Sequence, residues 1–362
     1  MKNPLLLLVC LLASAPALAG APQRKQPQPQ ELAPKSRQAS MPTSLTGNRP
    51  RVPPCQGQTL QRSVWPQGAL LWGTRRKEVA EETSSVLISV AMSGVQLGGT
   101  ALKGARIEDG RLVASSVEPE GLVGAVFQGT ASDGQSVEVA LCGAEPTSKN
   151  QSMTWYHIEF WNAQSGAWEN PCVATTRIPT PRALAVPAIW DEAGARHEVP
   201  EKFTFACESG VIAKCAQWGY RPWAKKNGRS LADLHQACTR MARADYCGDG
   251  RSHTRENNLI DMYDNLEVIT RTTEASQGWA PERASFEAAW APDGAWCLAR
   301  TREGQAVETI LKQCPDRFEV GVEDLGGGDR CTVRRKSGHA GSAMLRNRSY
   351  SKGERLLQES TP

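Results

Sequence analysis

The sequence predicts an α+β protein that is mainly β. A β-sandwich or barrel-like N-terminal part over residues 55–200 is joined to a disulfide-rich α+β part over residues 201–333. Three observations carry this prediction. Short runs between Cys55 and Pro200 alternate apolar and polar residues at period two. A stretch after Ser230 changes to helical spacing. Eleven cysteines stand in 362 residues, and most follow residue 200.

The chain opens on a leader. Lys2 is a short positive region, Leu5 to Ala15 is apolar, and Ala17-Leu18-Ala19 precedes Gly20 as a small-x-small cleavage site. Residues 1–19 therefore read as a secretory signal peptide, cut near Ala19, and the protein as secreted or periplasmic. The apolar run is too short to cross a bilayer, so no transmembrane anchor is expected. A lipoprotein reading at Cys10 fails because bulky Val9 precedes it. Residues 20–54 are rich in Pro, Gln, Lys and Arg and read as a disordered linker. Residues 334–362 are polar and read as a flexible tail. The net charge of +4 is too mild for a nucleic-acid partner. A mean hydropathy of −0.44 excludes a polytopic membrane protein.

Within the first part, Val86, Ile88, Val90 and Met92 alternate with Leu87, Ser89 and Ala91. Val137, Val139 and Leu141 alternate with Glu138 and Ala140. Tyr156, Ile158 and Phe160 alternate with Trp155, His157, Glu159 and Trp161. Asp109-Gly110 and Asp133-Gly134 supply hairpin turns. Tryptophan stands just before a glycine-containing turn in the segments beginning Trp161, Trp190 and Trp290. Large aromatics that pack the hairpins explain this, and platforms for sugar rings are the alternative.

In the second part, Ser230-Leu-Ala-Asp233 is a variant capping box. Leu231, Leu234, Cys238 and Met241 form one apolar stripe on a helix reaching about Arg243. Leu259–Tyr263 is ambiguous. Phe286–Arg300 reads as a hairpin, Val307–Lys312 as a short helix, and Gly326-Gly327-Gly328 as a flexible loop.

Removing Cys10 with the leader leaves an even set: Cys55, Cys142, Cys172, Cys207, Cys215, Cys238, Cys247, Cys297, Cys314 and Cys331. In an exported chain such a set reads as a disulfide framework. The runs Lys214-Cys-Ala-Gln-Trp-Gly-Tyr-Arg-Pro-Trp223 and Arg243-Ala-Asp-Tyr-Cys-Gly-Asp-Gly250, with Asp293-Gly-Ala-Trp-Cys297, resemble the ADYC domain family from Cys55 to about Cys314. The resemblance implies an exported protein in a family that is mostly myxobacterial, and it brings no catalytic residues. The spacings of Cys207, Cys215, Cys238 and Cys247 favour pairing among these four. Cys142 with Cys172 would close the β part, leaving Cys55 for one of Cys297, Cys314 and Cys331. Zinc on Cys215, His235, Cys238, Cys247 and His253 competes, without a tight C-x2-C pair to support it.

His235 on the helix, and Asp245, Asp249 and His253 in the following loop, are the candidate general acid–base set. The structural alternative is that Asp245 caps a turn and His235 packs at a helix–sheet seam. The Asp249–Glu256 loop resembles a calcium loop interrupted by Arg251 and His253, with Asp261 and Asp264 as further oxygens; an Asx-turn network is preferred. His157 and Glu159 between Trp155 and Trp161 would suit a sugar cleft, or a sheet face covered by another element. No G-x-S-x-G, H-E-x-x-H, Walker A or Rossmann motif occurs, so no cofactor is implied. Two functions follow: a non-catalytic envelope or extracellular protein that binds glycan or protein, or a secreted hydrolase using His235, Asp245, Asp249 and His253.

Overall fold

The computed structural model describes residues 52–56, 69–74 and 86–350, apart from 116, 148–152, 164, 256–257, 277 and 339–340. The expected leader, the linker up to residue 51 and the tail from residue 351 lie outside these residues.

Six antiparallel strands follow one another around a closed ring. They are β1 (Leu87–Ala91), β2 (Ala125–Ala131), β3 (Ser136–Pro146), β4 (Thr154–Asn162), β5 (Ala183–Val186) and β6 (Lys202–Cys207). Each pairs with the next, and β1 pairs with both β6 and β2, with Val90 opposite Phe203 on one side and Gly129 on the other. The ring is a six-stranded up-and-down barrel. Its interior is fully packed by Val90, Phe127, Val139, Leu141, Tyr156, Ile158, Phe203 and Phe205. Edge-on contacts between the Phe127, Phe203, Phe205 and Tyr156 rings, 4.8–6.2 Å between centroids, fill the middle. The Asp109-Gly110 hairpin (Ala105–Glu108 with Arg111–Ala114) closes one end, where the Leu112 N–H donates to the Tyr156 hydroxyl at 2.6 Å.

Apart from Lys202, the outward side chains of β5 and β6 are buried as well, because the barrel wall is covered. Leu184, Val186 and Ala206 join the core built by α1 (Val211–Gln217) and α2 (Ala232–Arg243). Behind the helices lies a second antiparallel sheet of β7 (Ile260–Asp264), β8 (Ser285–Ala291), β9 (Gly294–Leu298), β10 (Phe318–Asp324), β11 (Arg330–Arg335) and β12 (Leu345–Ser349), with α3 (Val307–Gln313) between β9 and β10. Its order is β7-β12-β8-β9-β11-β10. Ala288, Trp290, Ala295 and Leu298 face the same core as the helices. At the start of α2 the Ser230 hydroxyl accepts the Ala232 N–H at 3.2 Å, one residue short of the reach a capping box needs.

Three expectations are corrected. The described residues from Val52 to Tyr350 fall in one compact unit, and β6 completes the barrel, so residue 200 is not a domain boundary. The segment expected as a loose tail contains the end of β11 and all of β12, a strand held between β7 and β8. The bridges are Cys55–Cys142, Cys172–Cys207, Cys215–Cys238, Cys247–Cys314 and Cys297–Cys331. Of the four clustered cysteines only Cys215 and Cys238 pair with each other, across α1 and α2. Cys207 belongs to the barrel interior and meets Cys172 there. Cys247 leaves α2 on a turn that carries it to Cys314 at the end of α3. Cys142 lies on β3, where Cys55 reaches it rather than Cys172.

Candidate functional site

The Ala244-Asp245-Tyr246-Cys247 tetrapeptide ties the two sheets together. α2 stops because Ala244 turns left-handed, at φ 51° and ψ 42°. This carries Asp245 under the next loop, where it is fully buried. Its carboxylate accepts the N–H groups of Gly248, Asp249 and Gly250 at 2.9, 3.2 and 3.1 Å, and Arg240 Nη1 at 2.6 Å. Gly248 is needed here: its φ is +73°, and a Cβ would lie 1.9 Å from the Asp293 carbonyl oxygen. Tyr246 stacks on Trp290 at 5.4 Å, donates to Glu287 Oε1 at 3.2 Å and accepts the Arg302 N–H at 2.7 Å. Burial, then the Glu287 charge, push the Tyr246 hydroxyl well above its ordinary range, so it stays neutral.

Glu287 and Arg302 are buried with it. Arg302 Nη2 and Nε donate to the two Glu287 oxygens at 2.9 and 3.0 Å, and its Nη groups also cap the Met241 and Ala242 carbonyls of α2. Asn347 Nδ2 and Ser349 Oγ of β12 donate to Glu287 Oε2 at 2.9 and 2.6 Å. Burial alone would raise the Glu287 carboxyl, but Arg302 outweighs it and holds it below the usual range.

The four residues expected to form an acid–base set are separately engaged. His235 is wholly buried, and its Nε2–H donates to the Ile212 carbonyl of α1 at 3.0 Å. His253 Nδ1–H donates to the Ala244 carbonyl at 3.1 Å, and Nε2 meets the Gln313 amide at 3.0 Å. Asp249 accepts the Arg251 N–H at 3.0 Å in an Asx turn. Among the described residues no hydrogen bond or ion pair joins these four side chains to one another. The zinc alternative loses its sulfur ligands, since Cys215, Cys238 and Cys247 are disulfide-bonded. Asp261 pairs with Arg348 at 2.6 Å, and Asp264 accepts the Leu266 and Ile269 N–H groups and the Tyr220 hydroxyl. Cys55, Cys142 and Glu159 have ligand-like proximity, but the two sulfurs are bonded to each other, and Glu159 accepts the Cys55 N–H at 2.7 Å.

Burial drives the His235 ring down to about 4, and its Nδ1 has no partner among the described residues. Its contribution to stability is complete above the unfolded value near 6.5 and is lost as the pH falls toward 4. Between pH 7 and 4.5 this loss should approach about 2–3 kcal/mol. Urea denaturation at the two pH values checks it. The His235→Gln variant should show a much flatter pH dependence, and an equal fall in both proteins would rule the histidine out as the source.

Trp168, Trp190 and Trp290 serve packing. Trp190 and Trp290 are fully buried, with their Nε1–H groups on Gln236 and Asn347 at 2.8 Å. Trp168 is buried on the barrel wall, where it donates to the Val52 carbonyl at 3.0 Å. The outward face of β4 is thus partly covered by residues 52–56, as a sheet face covered by another element requires.

His157 escapes that cover and borders an open cleft of about 410 Å³, lined by Glu145, His157, Arg177, Ile178, Pro179, Thr180, Arg182 and Glu208. Gly143 lies opposite His157 on β3, and a Cβ there would sit 3.0 Å from the imidazole, so the missing side chain gives the ring its place. Arg182 organises the floor. It lies over the Trp155 ring at 5.1 Å, binds both Glu208 oxygens at 3.1 Å and reaches Glu145 Oε1 at 2.6 Å. His157 Nε2 is 3.4 Å from the same Glu145 oxygen. The Arg182 hydrogen bond holds the Glu145 carboxyl below its ordinary range. Sequence reasoning picked out His157 but missed Glu145, Arg177, Arg182 and Glu208. Only the β3–β4 register brings Glu145 beside His157.

Fold and site define a disulfide-stabilised, mainly β protein: a closed barrel and a helix-backed sheet, with a charged cleft on the barrel wall. The chain belongs to the ADYC domain family, whose model matches residues 119–304, just over half of it. The match starts after β1 and ends before α3, a narrower span than the resemblance suggested. No curated protein and no solved structure matches the chain.

Proposed function

We propose that this is a non-catalytic protein of the cell envelope or extracellular space, exported by the leader at residues 1–19, whose bridged scaffold presents a binding surface to a glycan or an envelope protein. One observation carries the reading. His235, Asp245, Asp249 and His253 are engaged in structural hydrogen bonds, whereas the Glu145–His157–Arg182 cleft is open to solvent. Export is supported by the five bridges, which suit an oxidising compartment. No helix among the described residues is long and apolar enough to cross a membrane.

The test is a pull-down from envelope extract and a glycan array, both with the exported chain, alongside a panel of hydrolase substrates. A retained ligand that Glu145→Gln weakens, with no turnover, is the expected result. Hydrolysis that disappears in the His253→Ala variant would overturn the reading in favour of a secreted hydrolase.

A further inference from the structure

The charges around the cleft are mostly spent on one another. Both oxygens of Glu208 and one of Glu145 are taken by Arg182, and His157 lies against that same Glu145 oxygen. Two charged groups are left over. Among the described residues Glu145 Oε2 has no hydrogen-bond or ion-pair partner, and its side chain is 45 % exposed. The Arg177 guanidinium, on the exposed rim, likewise has no hydrogen-bond or ion-pair partner among the described residues. Ile178 and Pro179 contribute apolar surface beside them. The site therefore offers one spare carboxylate oxygen and one spare guanidinium, and its two carboxylates balance its two guanidiniums. A ligand of strong net charge of either sign gains nothing from such a balance; a ligand carrying both signs can satisfy both groups. Sugar stacking has no platform here, since Trp155 is buried beneath Arg182.

We propose that the cleft binds a zwitterionic ligand of the amino-acid or short-peptide class, its ammonium group on Glu145 and its carboxylate on Arg177. Arg182 and Glu208 act as positioning residues that hold Glu145 in place. This inference rests on the reading of the protein as a binding protein, and it assigns the cleft a small zwitterion in place of a glycan or a whole envelope protein.

Calorimetric titration of the disulfide-intact exported chain tests it. The probes are alanine, dialanine and trialanine, each compared with its N-acetylated and C-amidated form. The two groups of one amino acid and the two ends of a peptide differ in spacing, so the best uncapped probe separates a free amino acid from a peptide. Uncapped probes should bind, and either cap should weaken binding by about tenfold or more, the loss of one charge-assisted contact. In Arg177→Ala the amide and the free acid should bind equally; in Glu145→Gln the N-acetyl and free amine should. Unchanged thermal melting shows that the variants are folded. No binding up to roughly 10 mM, a weak limit for a specific site, or indifference to both caps, overturns the proposal. If the array or the pull-down then still yields a ligand, the ligand class fails while the binding reading stands. If neither does and a substrate is turned over, both fail.

Discussion

Replacing Asp245 by alanine should destabilise the protein by about 3–5 kcal/mol, the cost of removing one partner from a buried ion pair. The carboxylate is fully buried, and four donors converge on it: three backbone N–H groups of the Gly248–Gly250 turn and the Arg240 guanidinium. Alanine leaves the three N–H groups without their acceptor and Arg240, itself nearly buried, without its counter-charge. Asp245→Asn keeps the shape but turns an N–H₂ group toward one set of donors, so it should recover less than half of the loss. Asp249→Ala is the control. That side chain is 38 % exposed and serves one Asx turn, so its removal should cost less than about 1 kcal/mol. Guanidinium denaturation of the three variants makes the comparison. Equal midpoints for Asp245→Ala and Asp249→Ala would show that Asp245 does not organise the turn.

The second large effect lies at the buried Glu287–Arg302 pair that the next residue, Tyr246, joins. Arg302→Met should also cost about 3–5 kcal/mol, because it leaves the Glu287 carboxylate charged in a site without solvent. Removing both charges in Glu287→Met with Arg302→Met should cost less than the sum of the single changes, with a coupling of about 1–3 kcal/mol. Recovery will be incomplete. Tyr246, Asn347 and Ser349 all donate to Glu287, and methionine accepts from none of them. Strict additivity in the double-mutant cycle would refute a direct coupling of the pair.

The two networks explain which parts of the structure could be read from the sequence. The barrel strands were legible because one face of each meets an apolar interior, and alternation records that directly. Val137, Val139 and Leu141 show it, as do Tyr156 and Ile158. α2 was legible for the same reason, in its 3.6-residue form. β12 was not. Leu345-Arg-Asn-Arg-Ser349 looks like a polar tail, yet Asn347, Arg348 and Ser349 are buried because Glu287 and Asp261 bind them across the sheet. A strand that buries charge pairs carries no hydrophobic signal. The disulfide count was legible by parity, but the pairing was not, since it depends on contacts such as Cys247 with Cys314, 67 residues apart. At the cleft the outward position of His157 followed from alternation. Its neighbours Arg182 and Glu208 come from separate segments, and nothing local to β4 points to them.

The bridges also have a topology of their own. Cys55–Cys142 and Cys172–Cys207 close before residue 208, whereas Cys215–Cys238, Cys247–Cys314 and Cys297–Cys331 close after residue 214. No covalent cross-link passes from one set to the other, so Glu208–Lys214 is the sole covalent joint between barrel and sheet. A single cut in that joint would turn the protein into a heterodimer, each half internally locked and the two held by one shared face, apolar but crossed by hydrogen bonds such as Trp190 Nε1–H to Gln236 and Gln236 Nε2–H to the Gly194 carbonyl. That face would then set how long the nicked molecule survives.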